Sequence, residues 1–455
     1  MPSYQDAEVR HAAHYIDLMR QAEEFYLAGH DDVTRGLTLL KDEWRNIEYT
    51  QKWLIAWAER DEIAADLCLI YPDVAANCLL LLQHPSDRIA YQTIALAAAR
   101  RVGKREAEGR QLANLGNAYA QLGEPYQALD YYQQRLIVAR ELHDRRGEGI
   151  ALGNMGNVHI SLGELQQAIP LYEASFAIAQ EVGDQHAQAA ALGNLGVAYS
   201  DLGDKPQSLH FYTRKLALVR ALGDRYGEAI VLGNLGVVYK DMDEVDKAIE
   251  LYQAQLKLMQ ELGDRRSEGV TLGNLGVAYA ELGDHRRALE FYDRQLEIAI
   301  DIGDVAGAAN DLMNMGNTFN ALGRSAQAIA FYEQAVTLFE QISDYRSMGN
   351  VLGNLANAYT ACNDFEHALR LYQEQYEIAQ ATSNRFGEAA ALWNQASLLH
   401  KQGIYEQANA TANAALALFE QIEAPEIDRL RGALAAWHSI STATEASTAP
   451  APQYD

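Results

Sequence analysis

Cysteine is scarce, basic residues are outnumbered and no long apolar run occurs, and each shortage excludes a class of protein. The three cysteines, Cys68, Cys78 and Cys362, are too few and too unevenly spaced for a disulfide framework. They read as core residues of a protein in a reducing compartment. The 37 basic side chains face 62 acidic ones, for a net charge of −25, and with no basic stripe visible a nucleic-acid backbone would meet repulsion. No stretch reaches the roughly 18 uninterrupted apolar residues of a membrane span. The opening MPSYQDAEVR has the features of neither a signal peptide nor a transit sequence. The expectation is a cytoplasmic protein without nucleic-acid partner or membrane insertion. Catalytic chemistry is also missing, because no nucleophile with a base, no paired carboxylates, no metal cluster and no phosphate loop stand together. No catalytic residue, cofactor or metal is expected, and the chain reads as a non-enzyme.

What the sequence has is a period. Asn114, Asn154, Asn194, Asn234, Asn274, Asn314, Asn354 and Asn394 are spaced by 40 residues without insertion or deletion. A fixed period of this size marks a solenoid, in which each unit buries its apolar face only against its neighbours. Within Arg225–Asp264, apolar residues recur at helical spacing in two blocks separated at Asp241-Met242-Asp243, so each unit predicts a helical hairpin. Gly183-Asp184, Gly223-Asp224, Gly263-Asp264, Gly303-Asp304 and the variant Ser343-Asp344 place a residue tolerant of left-handed backbone at one helix end and a cap at the next start. Glycine two residues after the asparagine (Gly116 to Gly316 in steps of 40) predicts close helix contact. Alanine at Ala128, Ala168, Ala248, Ala288, Ala328, Ala368 and Ala408 has the same reading, and tyrosine at Tyr132 through Tyr372 supplies bulk.

This register of Leu, Gly, Tyr, Ala and Tyr over about Arg105–Ile422 resembles the tetratricopeptide repeat. The long period and the wording G-D-R-x-x-E…L-G-N-L-G-N resemble the subgroup of Partner-of-Inscuteable (Pins/LGN) scaffolds and kinesin light chains. The resemblance implies an all-α, right-handed α-solenoid of about eight hairpins with an N-terminal helical cap and a C-terminal capping helix. Two departures stand out: the proline that often ends the repeat is absent, and the small residue expected late in the second helix is replaced by Arg135, Lys215, Gln255, Gln295 and Gln375.

Successive 100° steps around the first helix put Leu232, Leu235, Gly236 and Tyr239 on the packing side, and turn Asn234 away from it. In tetratricopeptide stacks that other side lines a concave groove. The predicted partner-binding residues are the eight asparagines, then Asn117, Asn157, Val197, Val237, Val277, Asn317 and Asn357 one turn on, then Asp201, Asp241 and Glu281 one turn further. A carboxamide carries donors and an acceptor and can pair with the backbone of an extended chain of any sequence; the same asparagines could instead bridge adjacent first helices. The valines and acids together suit a protein or peptide partner with apolar and basic residues. Arg105, Arg145, Arg225, Arg265 and Arg385, each with glutamate three residues on, read as repeat-internal ion pairs or, alternatively, as a row for partner carboxylates.

The organisation expected is a helical cap or bundle over 1–84, a solenoid over 85–424 opened by a degenerate half-unit, a capping helix over 425–439 and a disordered tail over 440–455. In the first segment Leu40, Trp44, Ile47 and Leu54 share a face, and RHAAHYIDLMRQAEEFY loosely resembles the helical connector of NB-ARC-type signal-transduction ATPases. The functional expectation is a non-catalytic scaffold or adaptor that takes an extended or helical segment of a partner protein. The alternatives are a regulatory receptor for a short peptide and a regulatory arm of a signalling ATPase system; homo-oligomerisation is left open.

Overall fold

In a computed structural model, residues 4–28 and 31–448 are described, and among them all regular structure is helical. The chain divides into two compact units, Met1–Gly223 and Asp224–Asp455.

The first unit opens with α1 (Tyr4–Ala28), α2 (Asp31–Asp42), α3 (Trp44–Trp57), α4 (Glu62–Val74) and α5 (Ala76–Leu82). They surround a core in which Met19, Leu40, Ile47 and Leu54 are wholly buried. Buried tyrosines need an acceptor for their hydroxyls. Tyr71 donates to the Ile47 carbonyl and Tyr91 to the Cys68 carbonyl, both at 3.0 Å. Cys68 and Cys78 belong to this core, whereas Cys362 is exposed at the end of its helix, contrary to the burial expected for all three. Then follow α6 (Pro85–Arg101), α7 (Arg105–Gln121), α8 (Pro125–Glu141), α9 (Arg145–Ser161), α10 (Leu165–Glu181), α11 (Gln185–Asp201) and α12 (Lys205–Leu222). From α7 onward these pair as hairpins.

The second unit holds five further hairpins: α13 (Arg225–Lys240) with α14 (Val245–Leu262), α15 (Arg265–Glu281) with α16 (His285–Asp301), α17 (Val305–Ala321) with α18 (Ser325–Gln341), α19 (Tyr345–Ala361) with α20 (Phe365–Ala381), and α21 (Arg385–Lys401) with α22 (Tyr405–Gln421). The last helix, α23 (Ile427–Thr448), docks Leu430 and Leu434 on this end and stacks Trp437 on Trp393 at 5.3 Å. It runs past 439, where the sequence reading ended it: Ala443, Glu445 and Ala446 sustain a helix, and the first proline beyond Trp437 is Pro450. Residues 449–455 of the expected tail lie outside the described residues.

Local chemistry explains the helix ends. Gly183 adopts φ 72°, and the next residue, Asp184, caps α11 by accepting from the Ala187 N–H at 3.0 Å. The same pair of devices recurs at Gly303 (φ 69°) and Asp304, which accepts from Gly307 at 3.0 Å. Packing within a hairpin is equally regular. A Cβ added at Gly236 would lie 2.5 Å from the Tyr252 ring, so the glycine is what lets the two helices approach. Ala128, Ala168, Ala248 and their equivalents are fully buried. Where Ser208 replaces the alanine, its hydroxyl is satisfied by the Gly196 carbonyl at 2.8 Å.

The repeat-opening arginines are used internally. Arg145 pairs with Glu148 and with Glu181, each at 2.5 Å, while Arg140 reaches Glu148 at 2.8 Å. Burial works against ionisation of Glu148, but these arginines outweigh it and hold its pKa below the ordinary carboxylate value. Arg265–Glu268 and Arg385–Glu388 repeat the pairing at 2.8 and 3.0 Å.

Candidate functional site

In the hairpin α13/α14, Leu232 and Leu235 are buried, Asn234 is half-buried and Val237 is exposed. All eight asparagines are half-buried, and Asn117, Asn157, Val197, Asn317 and Asn357 are exposed with Val237, whereas Val277 is half-buried. Helical phase alone therefore places this stripe on the side away from the hairpin interior.

Hydrogen bonds tie the two asparagine positions together. In the first unit Asn117 Oδ1 accepts from the Tyr132 hydroxyl at 2.7 Å and from Asn154 Nδ2 of the next repeat at 3.4 Å. Asn157 Oδ1 accepts from Tyr172 at 2.8 Å and from Asn194 Nδ2 at 3.2 Å. Asn114, which opens the row, donates to Asp73 at 3.1 Å. In the second unit Asn317 serves Tyr332 at 2.8 Å and Asn354 at 3.0 Å, and Asn357 serves Tyr372 at 2.7 Å. Bridging between first helices is thus realised in three pairs. It engages one amide hydrogen of each donor, so the second hydrogen and the oxygen of Asn154, Asn194 and Asn354 have further capacity.

Valine cannot accept. Where Val237 and Val277 take the second position, the Tyr252 and Tyr292 hydroxyls and the Asn274 and Asn314 amides make no hydrogen bond to another described side chain. Burial pushes the Tyr252 hydroxyl up to about 12. The acidic positions are less uniform than the sequence suggested. Asp201 is exposed in the first unit, but in the second Lys240 Nζ stands 3.4 Å from Asp241 and 3.5 Å from Glu281. That lysine, one residue before Asp241, neutralises part of the charge assigned to a basic partner.

The replaced small residue late in the second helix has a structural meaning that sequence reasoning missed. Its side chain enters a slot beside the first helix of the same hairpin. A Cβ on Gly193 would meet Lys215 Nζ at 2.5 Å, one on Gly233 the Gln255 amide at 2.6 Å, and one on Gly273 Gln295 Oε1 at 2.2 Å. Where the second helix offers only Ala335 or Ala415, the first supplies Met313 or Trp393 in place of the glycine. Size is thus complementary between the two positions, as close packing demands. One repeat breaks the rule: Gly153 faces Ser175, whose hydroxyl is 3.4 Å from a Cβ built there and donates to the Gly149 carbonyl at 2.8 Å. The result is a cleft of about 210 Å³ lined by Ile150, Ile178, Ala190, Ala191, Asn154 and Asn194, with the Arg146–Asp184 pair (3.0 Å) beside it. At Gly353 the slot is filled by Gln375, whose amide a Cβ would meet at 2.8 Å, and the adjoining cleft at Gly349 retains about 10 Å³.

Two of the other clefts of the first unit are walled by asparagines of the row. One of about 320 Å³ is walled by Leu80, Asn117, Gln121, Tyr132, Asn154 and Asn157, and one of about 140 Å³ by Gln51, Leu80, Arg88, Gln92, Asn114 and Asn117. Asn154 and Asn157 are shared with the Ser175 cleft, and Leu80 and Asn117 join the other two. The structure therefore brings Asn114, Asn117, Asn154, Asn157 and Asn194 to one continuous run of concavity. Arg88 was invisible to period-based reading, since it lies in α6, before the regular repeats begin. Ser175 could have been found by comparing the two slot positions across the eight repeats.

A chain of regular two-helix units with asparagines on one face of the first helix defines a helical-hairpin repeat protein. The family model for Tetratricopeptide repeat matches residues 147–221, 227–301, 271–341 and 347–421, and a second model of the same description matches 111–146. The chain belongs to the tetratricopeptide repeat family. No curated protein matches it. Among solved structures it is similar to a Signal Transduction ATPase with Numerous Domains (STAND) protein with a tetratricopeptide repeat sensor from Pyrococcus horikoshii. The TM-score is 0.59 at 17% identity, covering 82% of this chain and 55% of that one, so this chain spans about half of that protein. It is also similar to the apo form of the quorum sensor NprR from B. thuringiensis (TM-score 0.52, 17% identity, 76% of this chain and 99% of that one). A third is Aspartyl phosphate phosphatase F from Bacillus subtilis (0.51, 12%, 80% and 94%). At these identities the likeness is one of fold.

Proposed function

We propose that this chain is a non-catalytic interaction module that holds an extended segment of a partner protein along the asparagine face of its first unit. The observation that carries the reading is the run of three connected clefts walled by Asn117, Asn154 and Asn157 and ending at the open Ser175 slot. An extended peptide offers backbone N–H and C=O groups to carboxamides and one side chain to each pocket. Ile150, Ile178 and Ala191 make the slot a site for an aliphatic or aromatic side chain. In the second unit Val237, Val277, Asn274 and Asn314 provide a second apolar stretch with carboxamides not engaged by other side chains.

The test is capture of a mixed-sequence peptide library on the immobilised full chain, compared with Asn154→Ala/Asn194→Ala and with Ser175→Gln after confirming equal helicity. Enrichment of peptides with a common apolar position, lost in both variants, is expected. Equal enrichment on all three proteins would sink the proposal.

A second reading is a regulatory receptor for a short peptide. It is favoured by the small volume of the Ser175 cleft, which suits a few residues rather than a long helix, and the fold shared with a quorum sensor is compatible with it. It predicts that a captured peptide changes the scattering-derived dimensions of the full chain.

A further inference from the structure

We propose that the open slot at Ser175 receives a methionine side chain of the peptide held along the asparagine face, the partner supplying the bulk that this one repeat lacks. This rests on the groove reading above and narrows its apolar side chain to one that is long, unbranched and uncharged.

The other repeats show what the slot accepts. From the second helix it is entered by Arg135, Lys215, Gln255, Gln295 and Gln375, all unbranched at Cβ and Cγ, and no Leu, Ile, Val or Phe stands at this position in any repeat. The space is narrow. With the filler in place, one added carbon at Gly233 or Gly273 would stand 2.6 or 2.2 Å from it. An extended side chain passes such a gap, whereas a branched one needs more width.

Three chemistries fill the slot, and one of them suits a side chain arriving from outside. The cation Arg135 ends on Asp144 Oδ2 at 2.6 Å. The equivalent atom at the open slot is Asp184 Oδ2, with which Arg146 already pairs at 3.0 Å, while Oδ1 accepts from the Ala187 N–H at 3.0 Å. A second cation would share a carboxylate whose charge is balanced. The amide is no better served, since Oε1 of Gln255, Gln295 and Gln375 is buried each time without a donor. The chain itself holds those glutamines in place; one arriving from water would give up hydration at its oxygen and gain no partner. The remaining chemistry is apolar. Met313 takes the place of the glycine opposite Ala335 and packs against the core that includes Leu312 and Ala335. A thioether asks for no hydrogen bond and adapts to irregular space. The other such filler, Trp393, stands in the last hairpin, where its ring stacks on Trp437 of α23.

The walls at Ser175 fit this occupant. Ile178 and Ala191 are buried, whereas Ile150 and Val182 present exposed apolar surface to the cleft. The Ser175 hydroxyl is already committed to the Gly149 carbonyl at 2.8 Å. Asn154 and Asn194 line the same cleft and keep carboxamide capacity for the backbone of the residue that carries the side chain.

The experiment offers five heptapeptide pools to the immobilised full chain, with the central residue fixed as Met, norleucine, Leu, Gln or Lys and the other positions mixed but free of these five. The Met and norleucine pools should be retained about tenfold better than the other three. Ser175→Gln should bring both down to the level of the Leu pool, and oxidation of the Met pool to the sulfoxide should do the same by adding an oxygen that finds no donor. Should S175Q lose helicity, the ranking of the five pools on the unaltered chain decides by itself. Equal retention of all five, or preference for Leu, Gln or Lys, overturns the inference and leaves the groove reading intact; retention of none overturns both.

Discussion

Opposite Gly153, the Ser175 hydroxyl stands 3.4 Å from where a Cβ would lie, while at Gly273 the corresponding approach of Gln295 is 2.2 Å. The loose pair leaves about 210 Å³ open in a stack that otherwise fills this slot from one side or the other. Ser175→Gln should close the cleft with the side chain that Gln375 already places in the equivalent slot. The fold should tolerate it, with a change in unfolding free energy under about 1 kcal/mol, whereas peptide capture should fall. A large destabilisation by denaturant titration would mean that the space is not available to a glutamine.

Val237→Asn restores the residue that Asn317 represents elsewhere. It should give the Tyr252 hydroxyl an acceptor and Asn274 a partner, as Asn317 does for Tyr332 and Asn354. We expect a stabilisation of about 0.5–1.5 kcal/mol from the new hydrogen bonds, read from the urea midpoint. A neutral or destabilising result would show that an asparagine there does not form these hydrogen bonds.

Asp311 is 1% exposed, and neither carboxylate oxygen has a partner. Burial first, and then the nearby Asp304 charge, push it up to about 8 from 3.8. A carboxyl whose folded pKa lies above its unfolded value binds its proton more tightly in the native state. Its contribution is therefore most favourable below about pH 4 and declines as pH rises through 4 to 8. Asp311→Asn, or Asp311→Val after Val231 and Val351 at the same register, should remove that decline and raise stability at pH 8 by a few kcal/mol. Denaturant midpoints at pH 5 and pH 8 check this, and parallel pH profiles for variant and wild type would refute it.

Glu148 shows the opposite sign. Its pKa is held below 4.5 despite burial, by Arg140 and Arg145, so its stabilisation is present above pH 4.5 and is lost as pH falls through the depressed value. Glu148→Gln should cost about 1–3 kcal/mol at neutral pH and soften the acid limb of the unfolding profile. A variant with wild-type stability at pH 7 would show that the arginines are satisfied elsewhere.

Ser343 sits at φ 57°, where Gly183, Gly223, Gly263 and Gly303 stand in other repeats. A side chain there costs about 1–2 kcal/mol, so Ser343→Gly should raise the melting temperature, as should His143→Gly at φ 54°. No gain in either variant would mean that their side chains compensate locally.

The helical hairpins, their boundaries and the division into packing and asparagine faces were legible because they depend on signals local in sequence. Glycine and aspartate at helix ends act within a few residues, and a 40-residue period repeats the same local choice. The asparagine stripe was legible for the same reason, since helical phase alone assigns it. Other features follow from which side chain fills which space, and that depends on two segments meeting. Lys240 between Asp241 and Glu281, the bridge from Asn194 to Asn157 and the exposure of Cys362 belong here. So does the length of α23, where the absence of a breaker before Pro450 outweighed polar composition.

By itself the sequence determined a repeated two-helix unit, because 40-residue periodicity, caps and helical phase act through neighbours along the chain. Only tertiary structure decided where that unit is incomplete. The open slot at Ser175 exists because a residue 22 positions away, Gly153, presents too little volume. Volume is a property of packed neighbours, and a periodic sequence does not state which neighbours fail to match.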